Sequence, residues 1–142
     1  FYKDELVIIA PNTEKYRRFQ EECPNDISWL KREHVIMREE GSGTRKEAEK
    51  QLRSAGVNMA DLEIIASIEN QETIKKSVRQ GIGVSILSRL AATDEAKAGQ
   101  MLIFPIPGAD EGRDINVVYN RNYQLSRSAE RFIKIVKEVY EV

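Results

Sequence analysis

The segment Arg38-Glu39-Glu40-Gly41-Ser42-Gly43-Thr44-Arg45 combines the residue types that hold an anion. It joins an apolar strand pattern, residues 34–37, to a helix start through a glycine-rich turn. The first amides of a helix have no intrahelical acceptor and lie at the positive end of the helix dipole, so a carboxylate, sulfate or phosphate is stabilised there. The same residues have a plainer reading. Thr44-Arg45-Lys46-Glu47 matches a capping box, in which Thr44 caps the Glu47 amide and Glu47 reaches back, and such a box starts a helix with no ligand. A second turn of the same character, Glu69-Asn70-Gln71-Glu72-Thr73, follows another apolar run, with Asn70 as a good N-cap. In an open α/β sheet both turns can lie at the carboxyl ends of strands, where ligands bind.

The elements that must position these turns are legible in the hydrophobic pattern. Residues 6–10 are a continuous apolar run ended by Pro11, which fits a buried strand. A polar helical segment covers about 13–22 and stops at Pro24, and Asp26 or Ser28 starts a short helical turn carrying Ile27, Trp29 and Leu30. After the strand at 34–38, Ala48, Leu52 and Ala55 recur at helical spacing and Gly56 supplies a left-handed stop. Residues 62–68 read as a buried strand, followed by a helix with Ile74 and Val78 inward and Gly81 at its end. The strand at 82–87 is broken by Gly83, where the backbone passes close to a neighbour.

Residues 89–98 read as helix, and 101–106 as a strand whose Pro105 suits a sheet edge or a crossing. Residues 107–113 form a surface loop and 115–119 a further strand. A last helix from Ser126 has a wide apolar face of Leu125, Ala129, Phe132, Ile133, Val136 and Tyr140. Alternating strands and helices predict an α/β fold with parallel strands and right-handed crossovers.

A chain of 142 residues makes one domain or two small lobes. Its 22 basic and 23 acidic residues leave a net charge of −1, without the basic surplus that gripping nucleic-acid phosphates requires. One cysteine, Cys23, excludes an internal disulfide and a thiolate-rich metal site, suits a reducing compartment, and is expected to fill space. No apolar run approaches the length of a membrane span. The pattern opens in mid-element on Phe1, so the chain reads as a piece of something longer.

Residues 36–45 and 69–88, the latter running Glu69-Asn70-Gln71-Glu72-Thr73-Ile74 through Gly81-Ile82-Gly83-Val84-Ser85-Ile86-Leu87-Ser88, resemble the effector-binding domain of LysR-type transcriptional regulators. The opening Asp4-Glu5-Leu6-Val7-Ile8-Ile9-Ala10-Pro11 is similar to that family's first crossing strand, and Leu125-Ser126-Arg127-Ser128-Ala129-Glu130-Arg131-Phe132-Ile133 to its closing helix. The resemblance implies a periplasmic-binding-protein type II-like fold, two Rossmann-like lobes joined by two crossing strands with the effector between them. Residues 12–103 would form the second lobe. Residues 1–11 and 104–142 would be crossing strands and the C-terminal part of the first lobe, with hinges at Ala10, Pro11, Phe104 and Pro105. Earlier strand-helix units of the first lobe and an N-terminal helix-turn-helix would lie outside this chain, leaving half a cleft and no DNA-reading element.

Carried onto these positions, Ser42, Gly43 and Thr44 would donate to the anionic group of the effector, with Asn70 and Gln71 contributing from the neighbouring helix start. Arg38 would add charge if turned inward; otherwise Arg38 and Arg45 are solvated. The effector would be a small anion or carboxylate of sulfur, nitrogen or carbon assimilation. It would act in a cytoplasmic homo-oligomer that reaches DNA only through the missing helix-turn-helix, with no membrane, cofactor or metal. The helix at Thr44 would pack on a partner subunit in the family, so exposed apolar surface and altered or weak self-association are expected of this chain.

Other readings are weaker. Glu39, Glu40 and Glu72 lie near the turns, but there is one histidine, His34, and no nucleophile-base pair, so no catalytic residue is expected. The turn lacks the lysine of a nucleotide-binding P-loop and the G-x-G-x-x-G of a dinucleotide site, and no His, Cys and carboxylate spacing fits a metal. A solute-binding protein of a transport system would share the fold and cleft but would need export. A bare dimerisation module would be insensitive to effectors.

Overall fold

Alternate residues of a strand point to opposite faces of its sheet, and all six residues of β2 (Leu6–Pro11) are buried. A strand buried on both faces needs helices above and below. The structure, a computed structural model, describes residues 1–109 and 112–142. It has α1 (Glu14–Glu22), β3 (His34–Arg38), α2 (Gly43–Ser54), β4 (Glu63–Ile68), α3 (Gln71–Arg79), β5 (Val84–Ser88), α4 (Arg89–Lys97) and β6 (Met101–Pro105) following β2, with 3-10 turns at Ser28–Arg32 and Met59–Asp61. These form a five-stranded sheet of order β4-β3-β5-β2-β6.

Leu6, Ile8, Val35, Met37, Val84 and Ile86 face one layer, with Tyr16 of α1, Ala48 and Leu52 of α2, and Trp29. Val7, Ile9, Ile36 and Leu87 face the other, against Ile74 and Val78 of α3 and Ala92 of α4. The first layer closes on an aromatic group: Trp29 stacks on Phe19 at 5.0 Å between centroids and tilts against Phe104 at 5.0 Å.

The expectation of a wholly parallel sheet is corrected. Strand β3 pairs in parallel with β4 and β5, but β2 runs antiparallel to both of its neighbours, β5 and β6. The β5-α4-β6 crossover leaves a gap one strand wide, and β2 fills it from the opposite direction. Element order alone does not fix direction for a strand inserted in this way. Pro105 lies on the edge strand β6, where a missing backbone donor costs least. Gly83 is a close approach, as the pattern predicted: a Cβ there would lie 2.6 Å from the His34 carbonyl oxygen.

Contacts divide the chain into two compact units, Glu5–Glu111, which holds this sheet, and Phe1–Asp4 with Gly112–Val142. Ala10, Pro11, Phe104 and Pro105, named as hinges, are ladder residues within the larger unit, where Ala10 pairs with Leu102, Pro11 with Met101, Phe104 with Ile8 and Pro105 with Val7. In the smaller unit β1 (Tyr2–Asp4) pairs antiparallel with β7 (Arg113–Ile115). Arg113 donates from Nε and Nη2 to the buried Asp4 carboxylate at 3.0 and 2.8 Å. A strand was expected at 115–119; it ends at Ile115 because β1 has only three residues to pair with, Tyr2 opposite Ile115 being the last. Of the loop expected at 107–113, Asp110 and Glu111 lie outside the described residues.

The last helix, α5 (Arg127–Tyr140), starts next to Ser126 as expected, and Ser126 caps it. Its apolar face is only partly used. Val136 is buried, whereas Phe132, Ile135, Val139 and Tyr140 are exposed. Exposed apolar surface was expected on the helix at Thr44; the exposed large apolar residues among those described lie elsewhere, many on α5 and the segment before it. Helix α2 is charged on its outer side and buries Thr44, Ala48, Gln51 and Leu52.

Candidate functional site

Strands β3 and β4 are parallel neighbours in which Arg38 pairs with Ile68, so both turns leave the same end of the sheet side by side. Paired strands lie about 4.8 Å apart, which makes the starts of α2 and α3 neighbours. Past β3 the chain reverses at Gly41, whose φ of 89° is left-handed backbone that a glycine adopts without steric cost. The Ser42 amide then donates to the Glu39 carbonyl. Ser42, not Thr44, is the N-cap: its Oγ accepts the Arg45 amide at 3.4 Å. The expected Thr44-Glu47 capping box is therefore corrected. The helix begins two residues earlier, which turns Thr44 into a buried residue of the first turn and leaves the Glu47 carboxylate to accept from Gln51 at 2.9 Å. Asn70 caps α3 as predicted, its Oδ1 accepting the Thr73 amide at 3.1 Å.

These caps satisfy the third amide of each helix and leave earlier ones open. Among the described residues the Gly43 amide of α2 and the Gln71 and Glu72 amides of α3 have no acceptor. Gly43 adds open space, since a Cβ there would meet nothing within 4 Å. Open amides at two adjacent helix starts suit an acceptor-rich, negatively charged group.

Both arginines depart from the solvated reading. Arg38 is mostly buried and grips its neighbour, with Nε to Glu39 Oε2 and Nη2 to Glu39 Oε1 at 2.9 Å each. Its charge is thereby neutralised, and its hydrogen bond holds the Glu39 carboxyl below the usual carboxylate range. Arg45, 12% exposed at its side chain, is a brace that the sequence did not single out. Its Nη1 donates to the Arg38 carbonyl at 2.9 Å and to Ser67 Oγ at 2.8 Å, and its Nε to Glu49 Oε1 at 3.2 Å. One guanidinium thus ties the start of α2 to the ends of β3 and β4. Finding it from sequence needed the pairing of β3 with β4, which local spacing does not carry. Replacing Arg45 with alanine removes charge-assisted bonds of about 1.5–3 kcal/mol in total, so thermal unfolding should show a melting temperature lower by several degrees, on the order of 3 °C per kcal/mol. Arg45→Lys should recover only part of it, because an ammonium cannot reproduce the planar fork.

Other sequence candidates are not brought here. His34 begins β3, at the opposite end from Arg38, and stands 3.6 Å from the exposed Glu63 carboxylate. Cys23 is half-buried at the end of α1. Among the described residues no group of three or more His, Cys, Asp or Glu is placed to hold a metal ion, and no helix is long and apolar enough to cross a membrane.

A mixed α/β lobe with helix starts gathered at the carboxyl ends of its strands is the architecture of periplasmic-binding-protein type II-like domains. The LysR substrate binding domain family matches residues 1–141, and the chain belongs to that family. Among its relatives, YeiE of Escherichia coli K12, named as an uncharacterized HTH-type transcriptional regulator, is 32% identical over 131 residues, which cover 92% of this chain and 42% of the relative. The regulator MJ0300 of Methanocaldococcus jannaschii, likewise named as uncharacterized, is 29% identical over 137 residues, 96% of this chain and 45% of the relative. The chain thus spans less than half the length of these relatives. Among solved structures, the CcmR regulatory domain of Synechocystis PCC6803 in complex with 2-PG superposes with a TM-score of 0.74 at 24% identity, covering 98% of this chain and 64% of that one. The effector-binding domain of QuiR in complex with shikimate gives 0.71 at 16% identity, covering 93% and 59%.

Proposed function

We propose that this chain is the effector-sensing part of a LysR-type transcriptional regulator and holds a small anionic metabolite at the starts of α2 and α3. The observation that carries this reading is the pair of adjacent helix starts with open amides, braced into one unit by Arg45. Ser42, Gly43 and Thr44 face the effector from one turn and Asn70 and Gln71 from the other. Arg38 contributes through its carbonyl, which anchors Arg45, because its guanidinium is committed to Glu39. The CcmR and QuiR domains are in complex with 2-PG and shikimate, small molecules in keeping with this class.

Residues 12–103 would supply the second lobe, and residues 1–11 and 104–142 a first-lobe portion completed by the rest of a longer protein. The exposed apolar face of α5 supports that reading. The whole protein would act in the cytoplasm as an oligomer and bind DNA through a separate helix-turn-helix. An effector with different affinities for two arrangements of that oligomer shifts their populations, and so changes DNA binding, by no more than that difference in affinity. The acidic net charge agrees with DNA contact delegated elsewhere. Catalysis has no part in this reading.

The test is a thermal-shift screen of the full-length protein against small carboxylates, phosphate esters and inorganic anions. A ligand at a hundred times its dissociation constant stabilises the folded state by about 2.7 kcal/mol. One compound class should raise the melting temperature, with the rise lost in Ser42→Ala and Asn70→Ala and reduced in Arg45→Ala. An equal rise in all of these variants would place the effector elsewhere.

A further inference from the structure

A second polar recess occupies the opposite end of the same strands. It measures about 330 Å³ and is lined by Lys15 and Tyr16 of α1, Arg32 and Glu33, His34 at the start of β3, and the Gly81–Gly83 segment that leads into β5. That volume is at the small end of the range for small-molecule sites. No role in the effector reading falls on any of these residues.

The hydrogen bonds in the recess leave a surplus of donors. Glu33, 8% exposed, is fully engaged: Oε1 takes Lys15 Nζ at 2.6 Å and Oε2 takes the Tyr16 hydroxyl at 2.8 Å. Burial, then the Glu33 carboxylate, pushes the Tyr16 phenol above its ordinary value, so it stays protonated and remains a donor to Glu33. Lys15 spends one of its three protons on Glu33 and lies over the Tyr16 ring. The Arg32 guanidinium makes no hydrogen bond or ion pair with the described residues; its acidic neighbour is Asp26, whose carboxyl it helps to lower after the bonds from Ser28. Glu33, the carboxylate in the lining, is therefore already paired with Lys15, and the Arg32 guanidinium is left without a hydrogen bond among the described residues. A cation gains nothing in such a recess. An anion meets an unused planar fork of five donors, a geometry matched to carboxylate and phosphate oxygens. Ile82, half exposed on the wall, offers apolar contact to a small carbon skeleton.

We propose that the recess between Lys15, Arg32 and the Gly81–Gly83 segment is an accessory site for a small organic oxyanion, a carboxylate or a phosphate ester, distinct from the helix starts at Ser42 and Asn70. Strand β3 separates the two, with His34 at the recess and Arg38 at the helix starts. The accessory site stands whether or not the effector reading does, because the two share no residue.

Isothermal titration calorimetry of the full-length protein with inorganic phosphate and, separately, with citrate tests it. Arg32→Gln removes an exposed side chain that makes no hydrogen bond with the described residues, so folding should be unaffected. Ile82→Trp fills the recess from an exposed position. Ser42→Ala combined with Asn70→Ala disables the other site. Binding of either anion that falls about tenfold or more in Arg32→Gln and in Ile82→Trp, and persists in the double variant, is the expected result. A phosphate response points to a phosphate ester and a citrate response to a carboxylate. Binding lost in the double variant but kept in Arg32→Gln would overturn the proposal, as would equal binding in every variant or no heat from either anion.

Discussion

Replacing Gly83 with alanine is expected to destabilise the protein by about 1–3 kcal/mol. The added Cβ would lie 2.6 Å from the His34 carbonyl oxygen and 3.2 Å from its carbon, both backbone atoms with no flexible end to swing aside. Relief requires β3 and β5 to separate just before their first paired residues, Val35 and Val84, and both of those side chains are fully buried. The cost arises from space, since Gly83 does not adopt a left-handed backbone. Gly43→Ala is the comparison. A Cβ there meets nothing within 4 Å, and alanine is the better helix former. Urea unfolding of both variants at neutral pH should show a lower midpoint for Gly83→Ala and little change for Gly43→Ala. Equal midpoints would mean that β3 and β5 do not approach so closely.

Lys75→Met should cost about 3 kcal/mol or more, in the range found when one partner of a buried ion pair is removed. Lys75 is 6% exposed and joins α3 to α4, with Nζ 2.6 Å from Glu95 Oε1, 2.8 Å from Glu72 Oε1 and 3.0 Å from the Ala91 carbonyl. Glu95 Oε2 is buried without a hydrogen-bond partner, and beyond Lys75 its carboxylate has Arg79 Nη1 at 3.6 Å. Losing the ammonium would leave that carboxylate with only the longer Arg79 contact. Lys75→Met combined with Glu95→Leu should recover most of the loss, because a packed apolar pair needs no charge partner.

The pair also predicts a pH dependence. The Lys75 hydrogen bond, opposed by burial, holds the Glu95 carboxyl below its ordinary 4.5. A carboxyl whose folded pKa is depressed contributes stability above the unfolded value and loses it as pH falls through the folded one. For Lys75, burial works downward but the bonds to Glu72 and Glu95 prevail, so its pKa is raised. Its contribution is complete below the ordinary 10.5 and fades as pH climbs through the raised value. Unfolding free energy measured from neutral pH into acid should therefore fall more steeply below pH 4.5 in the wild type than in the Lys75→Met, Glu95→Leu protein. Parallel curves would remove Glu95 as a contributor to the acid slope.

What the sequence determined by itself is what depends on neighbours along the chain. The apolar run from Leu6, the cap at Asn70, the helix start near Ser126, the left-handed glycine at position 56 and the crowding at Gly83 all follow from local sterics, hydrogen bonding and periodicity, and all are in the structure. So are the α/β class and the resemblance that placed the chain in its family. The Ser42 cap was misplaced by two residues because Ser42 and Thr44 offer the same hydroxyl, and only the backbone decides which one leaves the helix.

Tertiary structure decided whatever depends on residues distant in the chain. The antiparallel insertion of β2 is set by the pairing of β5 and β6 around it, and the early end of β7 by the length of β1. Arg45 changed from an expected solvated arginine to the brace of the candidate site because folding brings Ser67, 22 residues away, to its guanidinium. The donor surplus around Arg32 arises because α1 and the start of β3 meet at Glu33, whose carboxylate is used up by Lys15 and Tyr16. A hydrogen bond between distant residues leaves no periodic mark in a sequence, and it forms only after the strands have chosen their neighbours.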